Sequence, residues 1–226
     1  MLFLNKYFEI YDKKEPLEYN IEKEGPLKVF SNEQIQAHKA HHQKYRKLTE
    51  ELIEELKNDY KWEKKIEKKI NLDSFILKQL LRKYSERDFS TTQYWYHSLF
   101  WQNISNDFES STFNIQKFFK GNNLKIEQIR ENFIEKSLDH KTSGWYILGV
   151  NLKTNKIEQI CVKDATNILK MNIIPLIIID LWEHCFYLDY QSDKKKYLEN
   201  IWSYLDWKII EERVQNIEII KKQFKT

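Results

Sequence analysis

Three short stretches hold the residues able to do metal chemistry. Three histidines crowd into His38-Lys-Ala-His-His-Gln-Lys-Tyr45, and His97 sits in Gln93-Tyr-Trp-Tyr-His-Ser-Leu-Phe-Trp101. Asp180-Leu-Trp-Glu-His184 follows directly on the apolar run Pro175-Leu-Ile-Ile-Ile179. Taken alone, the first stretch is either a ligand cluster or a polar helix face. The last is more informative. A buried strand would deliver Asp180 to its end, with the His184 imidazole four residues on. Groups so costly to bury need a partner, and a metal ion supplies one; the bland alternative is a capping aspartate and a hydrogen-bonded core histidine. His97 is flanked by Tyr94, Trp95, Tyr96, Phe100 and Trp101, surroundings too apolar for a free imidazolium, and Gln93 lies one turn earlier on the same face. His140, within Leu138-Asp-His-Lys141, reads as a surface residue. Cys161 and Cys185 share no CxxC spacing, so neither a disulfide framework nor a thiolate zinc site is indicated.

The elements that must position these groups are mostly helices. Residues 1–30 read as an extended N-terminal arm. Ser31-Asn-Glu-Gln34 then has the form of a capping box, Ser31 at the cap and Gln34 three residues on. Leu48, Leu52, Ile53 and Leu56 carry helical spacing toward about Ile70. Further helices are expected over about Asp73–Tyr84, Thr91–Ile104, Phe113–Phe119 and Ile126–Leu138. Three β-rich runs follow, Trp145–Asn151, Ile157–Val162 and Ile173–Ile179, the first two joined by a turn at Lys153–Lys156. Helices over about Lys195–Leu205 and Trp207–Phe224 end the chain. This order predicts an α+β protein: a helical-hairpin domain over 31–106, then a C-terminal α/β domain over 107–226 with a small three-stranded antiparallel sheet.

Composition sets outer bounds. Of 226 residues, 41% are hydrophobic and 31% charged, which excludes a disordered chain, and only four Gly and three Pro argue against a loop-rich all-β fold. Lys+Arg at 37 against Asp+Glu at 34 leaves +3, too balanced to indicate nucleic-acid binding. The longest apolar run, Ile173–Ile179, is far too short to span a membrane. The start, MLFLNKYFEIYDKKEP, lacks the features of a signal peptide, so an intracellular protein, cytoplasmic or mitochondrial, is expected.

Asp180-Leu-Trp-Glu-His-Cys-Phe-Tyr-Leu-Asp-Tyr190 resembles the signature of the iron/manganese superoxide dismutases, Asp-x-Trp-Glu-His followed by an aromatic run and Asp-Tyr. His97-Ser-Leu-Phe-Trp101 resembles that family's second ligand motif, and Ser143-Gly-Trp145 its Gly-Trp segment. Tyr197–Val214, with Trp202 and Asp206-Trp207, is similar to its closing helices. The likeness runs over roughly 31–215 with the motifs in order.

The resemblance implies a superoxide dismutase, with superoxide as substrate and iron, or as second choice manganese, as cofactor. His97, Asp180 and His184 would be three protein ligands and Gln93 the glutamine that hydrogen-bonds the metal-bound solvent. It further implies Tyr45 as gateway tyrosine with His41 beside it, and Trp101, Trp145 and Trp182 as the aromatic shell. Glu183 and Tyr187 would reach toward the partner's site in a homodimer. Iron-type members carry the glutamine on the helix, as Gln93 is, whereas the sheet-side position here is Ala165. The first motif is one residue short of the family's His-x-x-x-His-His-x-x-Tyr. One alignment sets Ala37 at the first-ligand position and the other His38; a plain α-helix in place of a π-type bulge favours His38. Tyr96 stands where Asn is usual, and Thr142 where Gly is. Some relatives are inactive structural subunits of mitochondrial ribosomes, which is the alternative reading and the only one with a nucleic-acid setting.

Overall fold

The computed structural model of the chain describes residues 27–60, 89–106 and 113–224. Most of the expected N-terminal arm, the extension of the first helix toward Ile70, the helix over Asp73–Tyr84 and the domain boundary after 106 lie outside them.

Helix α1 (Asn32–Tyr60) begins where Ser31 Oγ accepts the Gln34 N–H at 3.1 Å. Only this half of the expected capping box forms. The Ser31 N–H donates instead to Asp189 Oδ2 at 2.6 Å, because the Gln34 side chain is engaged elsewhere. The helix is α-type throughout, without a bulge in the histidine stretch. Helix α2 (Phe89–Gln102) packs antiparallel against it: the His38 ring lies 4.8 Å from Trp101, and Tyr45, two turns on, lies 5.9 Å from Phe89.

Helices α3 (Phe113–Gly121) and α4 (Ile126–Asp139) lead into a three-stranded antiparallel sheet, β1 (Gly144–Asn151), β2 (Lys156–Lys163) and β3 (Ile173–Asp180), in the order β2-β1-β3. The turn falls at 152–155, one residue earlier than expected. Pro175 is tolerated because β3 is an edge strand, and α2 and α7 pack against that strand. Every residue of β3 is buried, which accounts for its continuous apolar run. Beyond β3 come α5 (Glu183–Tyr190), α6 (Lys194–Ser203) and α7 (Trp207–Phe224). Neither α5 nor a 3₁₀ turn at Ile168–Met171 is expected from sequence; α5 carries aromatic and charged residues all round, so no apolar stripe marks it. Helices followed by a small antiparallel sheet flanked by helices is the predicted α+β architecture.

Arg213 of α7 ties the layers together. Its guanidinium donates to Asn103 Oδ1 and, at 2.8 and 3.1 Å, to the carbonyls of Leu176 and Leu99, while the Asn103 amide donates to Ile178 O at 2.5 Å. Buried backbone carbonyls of α2 and β3, the elements bearing His97 and Asp180, thus find donors.

Candidate metal centre

Asp180 ends β3 and opens the turn into α5. Its Oδ1 accepts the Trp182 N–H at 2.8 Å, which fixes the carboxylate and leaves Oδ2 to face inward. The Asp180 carbonyl accepts the Tyr197 hydroxyl at 2.7 Å, holding the backbone from behind. Around Oδ2 stand His38 Nε2 at 3.1 Å, His184 Nε2 at 3.2 Å and His97 Nε2 at 3.7 Å, one histidine each from α1, α5 and α2. The four ligand atoms all lie within 4.8 Å of one another.

None of these four atoms has a hydrogen-bond partner among the described residues. His97 Nδ1 lies 2.7 Å from the carbonyl of Gln93, which can only accept, so the proton is on Nδ1 and Nε2 presents a lone pair. Burial lowers the pKa of His97 well below the ordinary value, and that of His38 too, outweighing the opposing pull of Asp180. Burial works to raise the Asp180 carboxyl, but attraction to His184 and His38 prevails and holds it below the usual carboxylate range. The neutral nitrogens of His38 and His97 converging on one carboxylate oxygen would repel it unless a cation lay among them. Three nitrogens and one hard oxygen, without thiolate, form a donor set for a first-row transition metal such as iron or manganese.

The surroundings are largely aromatic. Trp145 stands edge-on to His97 at 4.9 Å, Trp101 covers His38 at 4.8 Å, and Trp182 lies 5.6 Å from His184. Gln93 is fully buried, and neither Oε1 nor Nε2 has a hydrogen-bond partner among the described residues. His41 packs 3.9 Å from the His184 ring and edge-on to Tyr45 at 5.0 Å; Tyr45 lies 5.8 Å from His97. Burial lowers His41 to about 4 and raises Tyr45, so the imidazole is neutral and the phenol keeps its proton.

The structure thus brings His38, His97, Asp180, His184, His41, Tyr45, Trp101, Trp145 and Trp182 together. Ala37 is exposed and turned away. Glu183 and Tyr187 lie exposed on α5 and are not drawn into the cluster. His140 is half-buried at the end of α4. His42 is buried, stacks on His97 at 5.3 Å and sits 3.4 Å from Ser98 Oγ, with burial lowering it to about 3. Its place could have been found from the four-residue step that puts it on the His38 face.

A three-histidine, one-aspartate cluster between a helical pair and a small antiparallel sheet defines a class of protein able to hold a metal ion. Residues 111–213 match the C-terminal domain of the iron/manganese superoxide dismutases. The chain is 30% identical over 118 residues to the mitochondrial manganese superoxide dismutase of Glossina morsitans morsitans, covering 52% of this chain and 55% of that one. It is 35% identical over 89 residues to the iron superoxide dismutase of Entamoeba histolytica (39% and 46%), and 26% over 121 residues to that of Helicobacter pylori strain J99 (54% and 57%). The chain therefore spans about half the length of these curated relatives. These matches support the iron/manganese superoxide dismutase family for this chain. No helix among the described residues is long and apolar enough to cross a membrane.

Proposed function

We propose that the protein is a superoxide dismutase, with His38, His97, Asp180 and His184 holding one iron ion per chain. The observation that carries this reading is the convergence of three imidazole nitrogens on Asp180 Oδ2 inside a shell of tryptophans. The chemistry supplied by a bound iron or manganese ion is the one-electron shuttle between two superoxides, which with two protons yields dioxygen and hydrogen peroxide. The chain's own residues do the rest. Asp180 supplies the one negative ligand, so a bound iron or manganese ion would keep positive charge at the site to attract an anion. Trp101, Trp145 and Trp182 keep bulk water out. The amide of Gln93, without a hydrogen-bond partner among the described residues, offers a donor and an acceptor one turn from His97. Tyr45 keeps its phenolic proton at the side of the cluster, and neutral His41 beside it can receive a proton at nitrogen and pass it on.

Iron is preferred over manganese on the family's pattern of glutamine placement, Gln93 lying on α2 and Ala165 on the sheet side. Glu183 and Tyr187 are assigned to the contact between two copies. Metal analysis and a superoxide assay on the purified chain test the proposal: one iron per chain and rapid dismutation are expected, and Asp180→Ala should lose both. An inactive wild type without metal would overturn it in favour of a structural role in a larger assembly.

A further inference from the structure

Gln34 lies one turn before His38 on the buried face of α1 and is itself buried. Its side-chain amide reaches across to α5 with both arms. Nε2 donates to the carbonyl of His184 at 2.6 Å, and Oε1 accepts the N–H of Leu188 at 3.0 Å. That carbonyl and that N–H are four residues apart, the pair an α-helix joins to each other. The amide of one helix therefore bridges a rung of the other, at the residue whose imidazole faces Asp180 Oδ2.

Two other hydrogen bonds join α5 to the cap of α1 and to the segment before it, at a distance from the cluster. Ser31 N–H donates to Asp189 Oδ2 at 2.6 Å, and the Tyr190 hydroxyl to Val29 O. Neither touches a residue of the cluster. Gln34 alone of the three ends on the backbone of a cluster histidine while sharing a helical turn with another. We propose that Gln34 is a positioning residue: its two-armed amide sets the distance and rotation between His38 and His184, and so the tightness and geometry of the bound ion. The inference rests on these histidines being ligands.

The physical reason is that α5 is a two-turn helix, too short to hold its orientation alone. A single hydrogen bond would still let α5 pivot, whereas two bonds from one planar group fix rotation as well as distance. An alternative is that Gln34 merely fills space, and the substitutions can be chosen to separate the two.

The experiment uses the full chain stripped of metal and loaded with Co(II), whose visible d–d bands report coordination geometry. Release of Co(II) into excess chelator is then timed for wild type, Gln34→Met, Gln34→Glu and Asp189→Ala. Met keeps the volume and removes both arms, Glu keeps the acceptor to Leu188, and Asp189→Ala removes the tie from α5 to the cap of α1, away from the site. Gln34→Met should release Co(II) at least tenfold faster with altered bands, Gln34→Glu should fall between it and wild type, and Asp189→Ala should keep wild-type bands and release while its Tm falls. Wild-type bands and release in Gln34→Met would overturn the positioning role and leave packing. If Gln34→Met does not fold, Gln34→Glu decides in the same way: altered bands support the role and wild-type behaviour overturns it. A wild type that takes up no Co(II) overturns the ligand assignment itself, and the inference with it.

Discussion

One residue turns an α-helix by about 100°, so the choice between Ala37 and His38 is a choice between solvent and the centre of the molecule. His38 is buried with Nε2 at 3.1 Å from Asp180 Oδ2, and Ala37 is exposed. Removing even an outer hydrogen-bond partner of a ligand costs about 10- to 100-fold in metal affinity or activity. His38→Ala should therefore lose at least that much of both, measured by metal content and superoxide assay, while Ala37→Ser leaves both at wild-type values. His42 makes a separate case, because it packs on His97 without joining the four converging atoms. His42→Ala should keep its metal and lose stability by about 0.5–3 kcal/mol, the usual range for a buried point substitution, read from thermal unfolding. Metal loss equal to that of His38→Ala would show that His42 does more than pack.

Among the elements, the sheet places the site through its register, which pairs Trp145 with Asp180 and sets His97's tryptophan neighbour beside the carboxylate strand. Gly144, just before Trp145, has a spatial reason to be glycine: a Cβ there would lie 2.0 Å from the Val162 carbonyl and 2.7 Å from His140 Nε2. Gly144→Ala must part β1 from β2 at the end nearest the site, so a loss of at least about 1–3 kcal/mol is expected from overpacking, with weakened metal retention in the same variant. Wild-type Tm and metal content would show that the strands yield there. The strands, α2, α4 and the last two helices could be read from the sequence because their apolar residues keep a period of 2 or 3.6 or form an unbroken buried run. Asp180 and His184 were legible because a charged pair closes such a run. The buried face of α1 was harder to read, since polar Gln34, His38, His42 and Thr49 share it with only Ile35 and Tyr45 among the buried apolar residues described. A hydrophobic period registers weakly on such a mixed stripe, although its steps are those of one helix face. Helix α5 escaped for the opposite reason, aromatic residues on all sides. Its start is marked by the local bond from the Trp182 N–H to the Asp180 carboxylate, but its tie to Gln34 spans 150 residues of chain and leaves no local trace.

At the scale of the whole molecule, α5, which carries His184, also faces outward with apolar surface. Tyr187 and Leu188 are 47% and 46% exposed, and Glu183 is exposed one residue before His184. Large apolar side chains left open together beside a site are more costly to hydrate than to pair, and an isologous contact between two copies covers the same patch on each. Pairing through α5 would bring Glu183 of each copy toward the other's site, as the family resemblance implies. Sedimentation equilibrium should therefore give about twice the chain mass of 27.8 kDa. The double substitution Tyr187→Asp, Leu188→Asp places four like charges at the two-fold and should give a monomer by the same measurement. Because Gln34 holds α5 through the backbone of residue 188 and not its side chain, the monomer should keep its metal. A wild type that sediments as a monomer with full activity would remove α5 from any such contact, and a double variant that remains dimeric would place the contact on another face.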